Sequence, residues 1–125
     1  MNNHVNSVVF SGNVVRDAEV KEINNSFVHK FTLAWDRFYK TSSGGAEVET
    51  VFLDVEVWTK EKPLTSLLKG QFVRLSGRLA QSRLTDEEGK KRERIFIRAL
   101  EQDLEIKTLR PEPSEEANGP EDGSE

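Results

Sequence analysis

A chain of 125 residues, 35% hydrophobic and 32% charged, has room for one domain with a modest core. It contains no cysteine, which excludes disulfides and thiolate metal sites, and no run near the ~20 apolar residues of a membrane-spanning helix. The net charge of −4 is unevenly placed: residues 111–125 carry six acids and no Lys or Arg, leaving 16 acids against 18 bases upstream, a net of +2. A body this weakly basic does not announce nucleic acid by its charge; local clustering has to make that case. The opening MNNHVNSVVF lacks the basic and apolar regions of a secretory signal, so the expected location is cytoplasmic.

Taken in chain order, β signals dominate. Residues 5–15 are rich in valine and interrupted by Gly12, which marks a bend or bulge. Asn24-Asn25 is a turn signal between residues 19–23 and the run 27–39. A flexible Ser42-Ser43-Gly44-Gly45 loop precedes a strand over 50–58. Pro63 then opens a stretch in which Leu64, Leu67 and Leu68 fall at i, i+3 and i+4 before Gly70, the pattern of one short amphipathic helix. Residues 71–84 return to strand with a second expected bend point at Gly77, Asp86-Glu87-Glu88-Gly89 makes a turn, and 91–106 is the last strand region. Five strand regions with a helix between the third and fourth are the arrangement of the all-β, five-stranded OB-fold barrel. The Pro-, Gly-, Ser- and Glu-rich residues 111–125 have too little to bury and form an expected disordered acidic tail after a domain spanning 1–110.

Catalysis finds little footing. His4 and His29 are the only histidines, neither at metal-ligand spacing, and no phosphate-loop or nucleophile-elbow motif occurs. No enzyme, metal or cofactor is expected. The aromatics say more. With the two-residue period of a strand, Val51, Leu53, Val55 and Val57 share one face, and Phe52, Asp54, Glu56 and Trp58 share the other. Trp35, Phe38 and Tyr39 cluster at the end of the preceding strand, and Lys30, Arg37, Lys40, Lys60 and Lys62 punctuate the same two strands. Rings interleaved with cations suit base stacking and phosphate contact, yet pattern alone leaves stacking level with packing under a loop or into a subunit interface. A second cationic region, Lys90, Lys91, Arg92 and Arg94 across the turn from Arg83 and Arg78, either extends a backbone-binding groove or is a solvated hairpin tip. Asp54 and Glu56 count against phosphate binding unless they pair with neighbouring cations.

Several stretches together resemble the bacterial single-stranded DNA-binding protein family over roughly residues 3–107. They are Asn6, Val8, Gly12, Asn13 and Val14; Arg16-Asp17-Ala18-Glu19-Val20; Phe31-Thr32-Leu33-Ala34; and Thr50-Val51-Phe52 running to Val57-Trp58. Leu68-Lys69-Gly70, Ser76-Gly77-Arg78-Leu79 and Thr85-Asp86-Glu87-Glu88-Gly89-Lys90 complete the order. The resemblance implies an OB-fold that assembles as a homotetramer and wraps single-stranded DNA without sequence readout. It puts stacking aromatics at Tyr39, Phe52 and Trp58 and phosphate-contacting cations at Lys60 and Lys69, with Arg83 close to another. Trp35 has no counterpart and follows the parity of Phe31 and Leu33, as core or rim. Two departures stand out. Leu84 occupies the hairpin position where many members carry Trp, and the tail ends Glu121-Asp122-Gly123-Ser124-Glu125 without the apolar tip by which members dock onto genome-maintenance partners.

The resulting expectation is a nucleoid-associated protein that covers single strands in replication, recombination and repair. Its expected contacts are Tyr39, Phe52, Trp58 and Trp35, with Lys40, Lys60, Lys69, Arg83, Lys90 and Lys91 on the phosphates. The rivals are a divergent OB subunit that docks onto replication proteins and grips DNA weakly, and a single-stranded RNA binder on the same platform.

Overall fold

The valine-rich and alternating stretches pair into one continuous sheet. A computed structural model describes residues 3–107, so the expected tail at 111–125 and its boundary near Arg110 lie outside the described residues. The strands are β1 (Val8–Val14), β2 (Glu19–Ile23), β3 (Ser26–Lys40), β4 (Ala46–Thr59), β5 (Phe72–Thr85), β6 (Lys91–Leu100) and β7 (Leu104–Lys107). A single 3-10 turn, Glu101–Asp103, divides the last strand region into β6 and β7. Residues 19–23 form a hairpin of their own with the start of β3. Asn24 and Asn25 make this turn with φ of 51° and 65°, the left-handed pair that a two-residue hairpin needs.

Five of the strands form a ring. β3 pairs antiparallel with β4, β4 runs parallel to β6, β6 pairs with β5, β5 with β1, and β1 returns to β3 through Asn13↔Ala34 and Val14↔Leu33. That is the strand order of the OB arrangement, closed by β1. Gly12 sits where β1 crosses β3: a Cβ there would lie 2.5 Å from the Ala34 carbonyl oxygen. Gly77 plays the same part where β5 lies against the Arg98 carbonyl. Both glycines expected to mark bends are thus points of close backbone approach.

Inside the ring, Val14, Phe31, Leu33, Val55, Val57, Leu67, Val73, Leu75, Ile97 and Ala99 are buried together, with Leu53, Leu64 and Ile106 packed against them. The inward set of β4 matches the two-residue period at Leu53, Val55 and Val57, and Val51 emerges at 38% exposure where β4 leaves the barrel. Beyond that point β3 and β4 continue as an exposed ribbon. Arg37 pairs with Glu49 at 3.1 Å, and the Thr50 hydroxyl donates to Asp36 at 2.7 Å.

The helix expected after Pro63 is absent; residues 60–71 form an irregular segment. Three leucines at helical spacing meet only half of a helix's requirement, because its backbone groups must also bond locally. Here they bond elsewhere. The Leu64 amide donates to His29 Nε2 at 2.8 Å, the Leu67 carbonyl accepts from the Ala18 amide, the Lys69 amide donates to Asp17, and the Gly70 amide donates to the Val14 carbonyl. An eight-residue helix falls short of the ~12–15 residues at which isolated helices become marginal. Burying Leu67, 2% exposed, supplies roughly 1.5–3 kcal/mol without a helix. His29, fully buried, organises this segment: its Nδ1 donates to the Val57 carbonyl at 3.0 Å, which leaves Nε2 to accept from Leu64. Among the described residues no helix is long and apolar enough to cross a membrane.

Three substitutions test this account. Gly12→Ala should lower stability by about 1–3 kcal/mol, read as an earlier urea midpoint, because the Cβ has no room against rigid backbone. Gly45→Ala, whose Cβ would meet only the Thr41 hydroxyl at 3.4 Å, should leave the midpoint nearly unchanged. His29→Ala should cost about 2–4 kcal/mol and speed hydrogen exchange at the Leu64 amide more than at the Val14 amide.

Candidate nucleic-acid interface

Residues directly opposite one another in a ladder point to the same side of the sheet. On the outer side of β3 and β4, Phe38 stands opposite Val48, Asp36 opposite Thr50, Ala34 opposite Phe52, Thr32 opposite Asp54, Lys30 opposite Glu56 and Val28 opposite Trp58. The parallel partner β6 sets Arg98 beside Glu56 and Leu100 beside Trp58, and β5 continues the face with Arg78, Ala80, Ser82 and Leu84. One face therefore carries Phe38, Phe52, Trp58 and Leu84 among Lys30, Lys40, Arg78, Arg92, Arg94 and Arg98.

The rings on this face differ in how they are held. Phe52 is 65% exposed because its neighbour across the ladder is only Ala34. Trp58 is half-buried, and its indole N–H donates to Glu56 Oε1 at 3.2 Å. Phe96, of the same outward parity on β6, is 2% exposed because the guanidinium groups of Arg94 and Arg98 lie over its ring at 5.1 and 5.3 Å from the centroid.

Asp54 and Glu56 find partners on β6. Arg94 Nε lies 3.2 Å from Asp54 Oδ2, whose other oxygen accepts from the Thr32 hydroxyl at 2.7 Å. Arg98 Nε lies 3.3 Å from Glu56 Oε1, the oxygen that also accepts from Trp58. The carboxylates between the two rings are thus matched one to one by arginines, and Glu56, buried at 8% exposure, takes both of these bonds on Oε1. The outer face is a row of ring, ion pair, covered ring, ion pair, ring.

The remaining sequence-predicted residues fall around this row. Tyr39 stands opposite Glu47 and Trp35 opposite Val51, so both belong to the reverse side of the β3–β4 ribbon. Arg37 lies over the Tyr39 ring at 4.8 Å, and Trp35 lines a groove with Val9, Phe10, Phe72 and Arg74. Lys40, opposite Ala46, shares the face of Phe52. Lys60 follows β4 directly and lines a groove with Trp58, Lys62 and Leu100. Lys69 lies in the 60–71 segment, its amide tied to Asp17. Arg83 and Lys91 stand opposite Glu93 and Thr85 on the other side of the β5–β6 hairpin, Arg83 paired to Glu93 at 3.3 Å, and Lys90 sits in the turn with its amide bonded to Asp86.

Phe38 and Arg98 are the members of the face that the sequence reading does not assign to it. Phe38 has the parity of Phe52 but stands beside Tyr39 in an aromatic cluster. Arg98 continues the alternation Arg92, Arg94, Phe96, a signal the basic hairpin tip obscures. No group of three or more metal-ligating side chains occurs among the described residues.

Comparison with known proteins agrees with the ring. Residues 5–105 match the Single-strand binding protein family. Single-stranded DNA-binding proteins of Treponema pallidum and Aquifex aeolicus are 35% and 34% identical over 76% and 74% of this chain, and the matches cover 54% and 65% of those proteins. That of Wolinella succinogenes is 30% identical over 75% of this chain and 60% of its own length. The chain therefore spans between half and two thirds of the curated relatives it matches. Among solved structures, a Plasmodium falciparum SSB complex with ssDNA superposes with a TM-score of 0.66 at 17% identity, covering 85% of this chain and 96% of that one. The single-stranded DNA binding protein from Thermus aquaticus, a deletion mutant, gives 0.64 at 18% identity over 85% and 52%. Ring order, barrel-closing glycines and a family match over nearly the whole described body agree: the chain belongs to the single-strand binding protein family.

Proposed function

We propose that this protein binds single-stranded DNA without reading its sequence and covers exposed strands during replication, recombination and repair. The observation that carries the reading is Phe52, a large ring left 65% exposed on the same face as Trp58, among arginines. An exposed ring contributes little to folding, whereas a base stacked on it contributes roughly 1–3 kcal/mol. Bases stack on Phe52 and Trp58, and the surrounding cations follow the phosphates. Phe38 and Lys40 extend this contact along the ribbon, and Lys60 and Lys69 extend it past Trp58. Tyr39 and Trp35, on the reverse side, join only if the strand passes around the ribbon. Arg83, Lys90 and Lys91 offer a second cationic stop on the β5–β6 hairpin. The names of the curated relatives support DNA as the ligand.

In the same proposal the protein acts as a homotetramer in the cytoplasm, associated with the nucleoid. The ion-paired centre of the face and the aliphatic Leu84 favour a second reading, an OB subunit that joins a replication assembly and holds DNA weakly. RNA on the same platform is a third, decided by competition between matched DNA and RNA oligonucleotides.

Titration with oligo-dT should quench tryptophan emission at low salt, with the affinity falling as salt rises. Phe52→Ala and Trp58→Ala should each weaken binding by roughly 5- to 100-fold. Phe52→Ala should leave the urea midpoint within about 0.5 kcal/mol of the parent. Unchanged emission with no complex at low salt excludes the reading. Loss of assembly in Trp58→Ala without loss of DNA binding favours the interaction subunit instead.

A further inference from the structure

Phe52 and Trp58 are six residues apart on one strand, about 20 Å at the rise of an extended chain. A nucleic-acid strand reaching both rings lays several nucleotides over the interval between them. That interval holds five charged side chains: Asp54, Glu56, Arg94 and Arg98, arranged as two ion pairs, and Lys30 opposite Glu56. Both arginines lie over Phe96 and both give Nε to a carboxylate, so the positive charge of each guanidinium in this interval is already matched by a negative one. The two sides of each pair come from different strands, Asp54 and Glu56 from β4 and the arginines from β6, so the arrangement is built by the barrel. Neither carboxylate is needed to fill a core position: Asp54 is 40% exposed at its side chain, and Glu56 sits under Trp58 and Arg98 on the outer side of the sheet.

We propose that Asp54 and Glu56 limit and set the affinity of this face, by holding Arg94 and Arg98 in intramolecular pairs that a phosphate must displace. The inference rests on the nucleic-acid reading of the face. It assigns the face a division of labour. Stacking on the outer rings supplies most of the attraction, while the paired centre adds little net phosphate neutralisation beyond that of Lys30 and repels any phosphate that does not displace a carboxylate. A strand held this way leaves readily. Its binding also depends less steeply on salt than the number of cations on the face implies, because only cations that exchange counterions for phosphate contribute to the slope.

The test is binding of fluorescein-labelled oligo-dT by the full chain at four or more salt concentrations, for the parent, Asp54→Asn, Glu56→Gln and the double variant. Both substitutions remove a charge and keep the oxygen that accepts from Thr32 or Trp58. Each single variant should bind about fivefold tighter at low salt, because neutralisation removes one charge that repels phosphate and leaves one arginine without a competing carboxylate. The double variant should have a logarithmic salt slope steeper by about 1.4, two phosphates at the single-strand value. Glu22→Gln, which removes the same charge from β2 away from the face, should change affinity less than twofold. Melting curves followed by circular dichroism check that Glu56→Gln, at a buried position, folds, and Asp54→Asn, at a more exposed one, carries the test if it does not. Binding that is unchanged or weakened by neutralisation, with an unaltered slope, overturns the inference: the carboxylates then organise the arginines for the strand. Absence of binding by the parent and by every variant overturns instead the nucleic-acid reading of the face.

Discussion

The double pairing of β1 is the constraint on which the rest of the molecule depends. β1 bonds to β5 along six residues and then turns its last two toward β3, and that crossing closes an otherwise open sheet into a ring. The crossing is possible because Gly12 lets the chain approach the Ala34 carbonyl more closely than any side chain permits. Closure gives every strand an inside and an outside. Val55, Val57, Leu33 and Ile97 are sealed within, and the alternate residues are committed to the outer surface. The aromatic face is thus a consequence of closure. Once Val55 and Val57 are fixed inward, Phe52 and Trp58 have nowhere else to point.

The outward face has an energetic problem that its ion pairs resolve. Two carboxylates beside half-buried rings would be costly if left alone, and an unpartnered Glu56 at 8% exposure would bear most of that cost. Arg98 and the Trp58 indole both meet the same Glu56 oxygen, so one carboxylate orients a ring and a guanidinium together. Arg94 and Arg98 also cover Phe96, which turns a large outward side chain into a buried one without the help of another layer. If a strand lies on this face as proposed, stability and recognition draw on the same residues at its centre, whereas Phe52, 65% exposed, contributes little to folding.

Much of this was legible from the chain, for identifiable reasons. Strand regions, the Asn24-Asn25 turn, both close-approach glycines and the inward set of β4 are all local signals, set by two-residue alternation and by backbone chemistry. The failures share the opposite property. Leucines at 64, 67 and 68 mimic a helix face, but the bonds that replace helical ones come from His29, Ala18, Asp17 and Val14, all remote in sequence. For Asp54 and Glu56 the sequence offers pairing with cations but not the partners, because their arginines lie 40 and 42 residues further on, across a parallel strand pair that no local pattern announces. Phe38 and Tyr39 are adjacent, and only the register of β3 against β4 assigns Phe38 to the face of Phe52 and Tyr39 to its reverse.

The central claim, that a single strand lies on the outer face of β3, β4 and β6, is tested most directly by ultraviolet cross-linking to oligo-dT followed by mass spectrometric mapping of the modified residues. The account predicts cross-links at Phe52 and Trp58, lost when salt is raised before irradiation. Cross-links confined to the β1–β5–β7 side, at Phe72 or Phe10, with Phe52 and Trp58 unmodified, would contradict it.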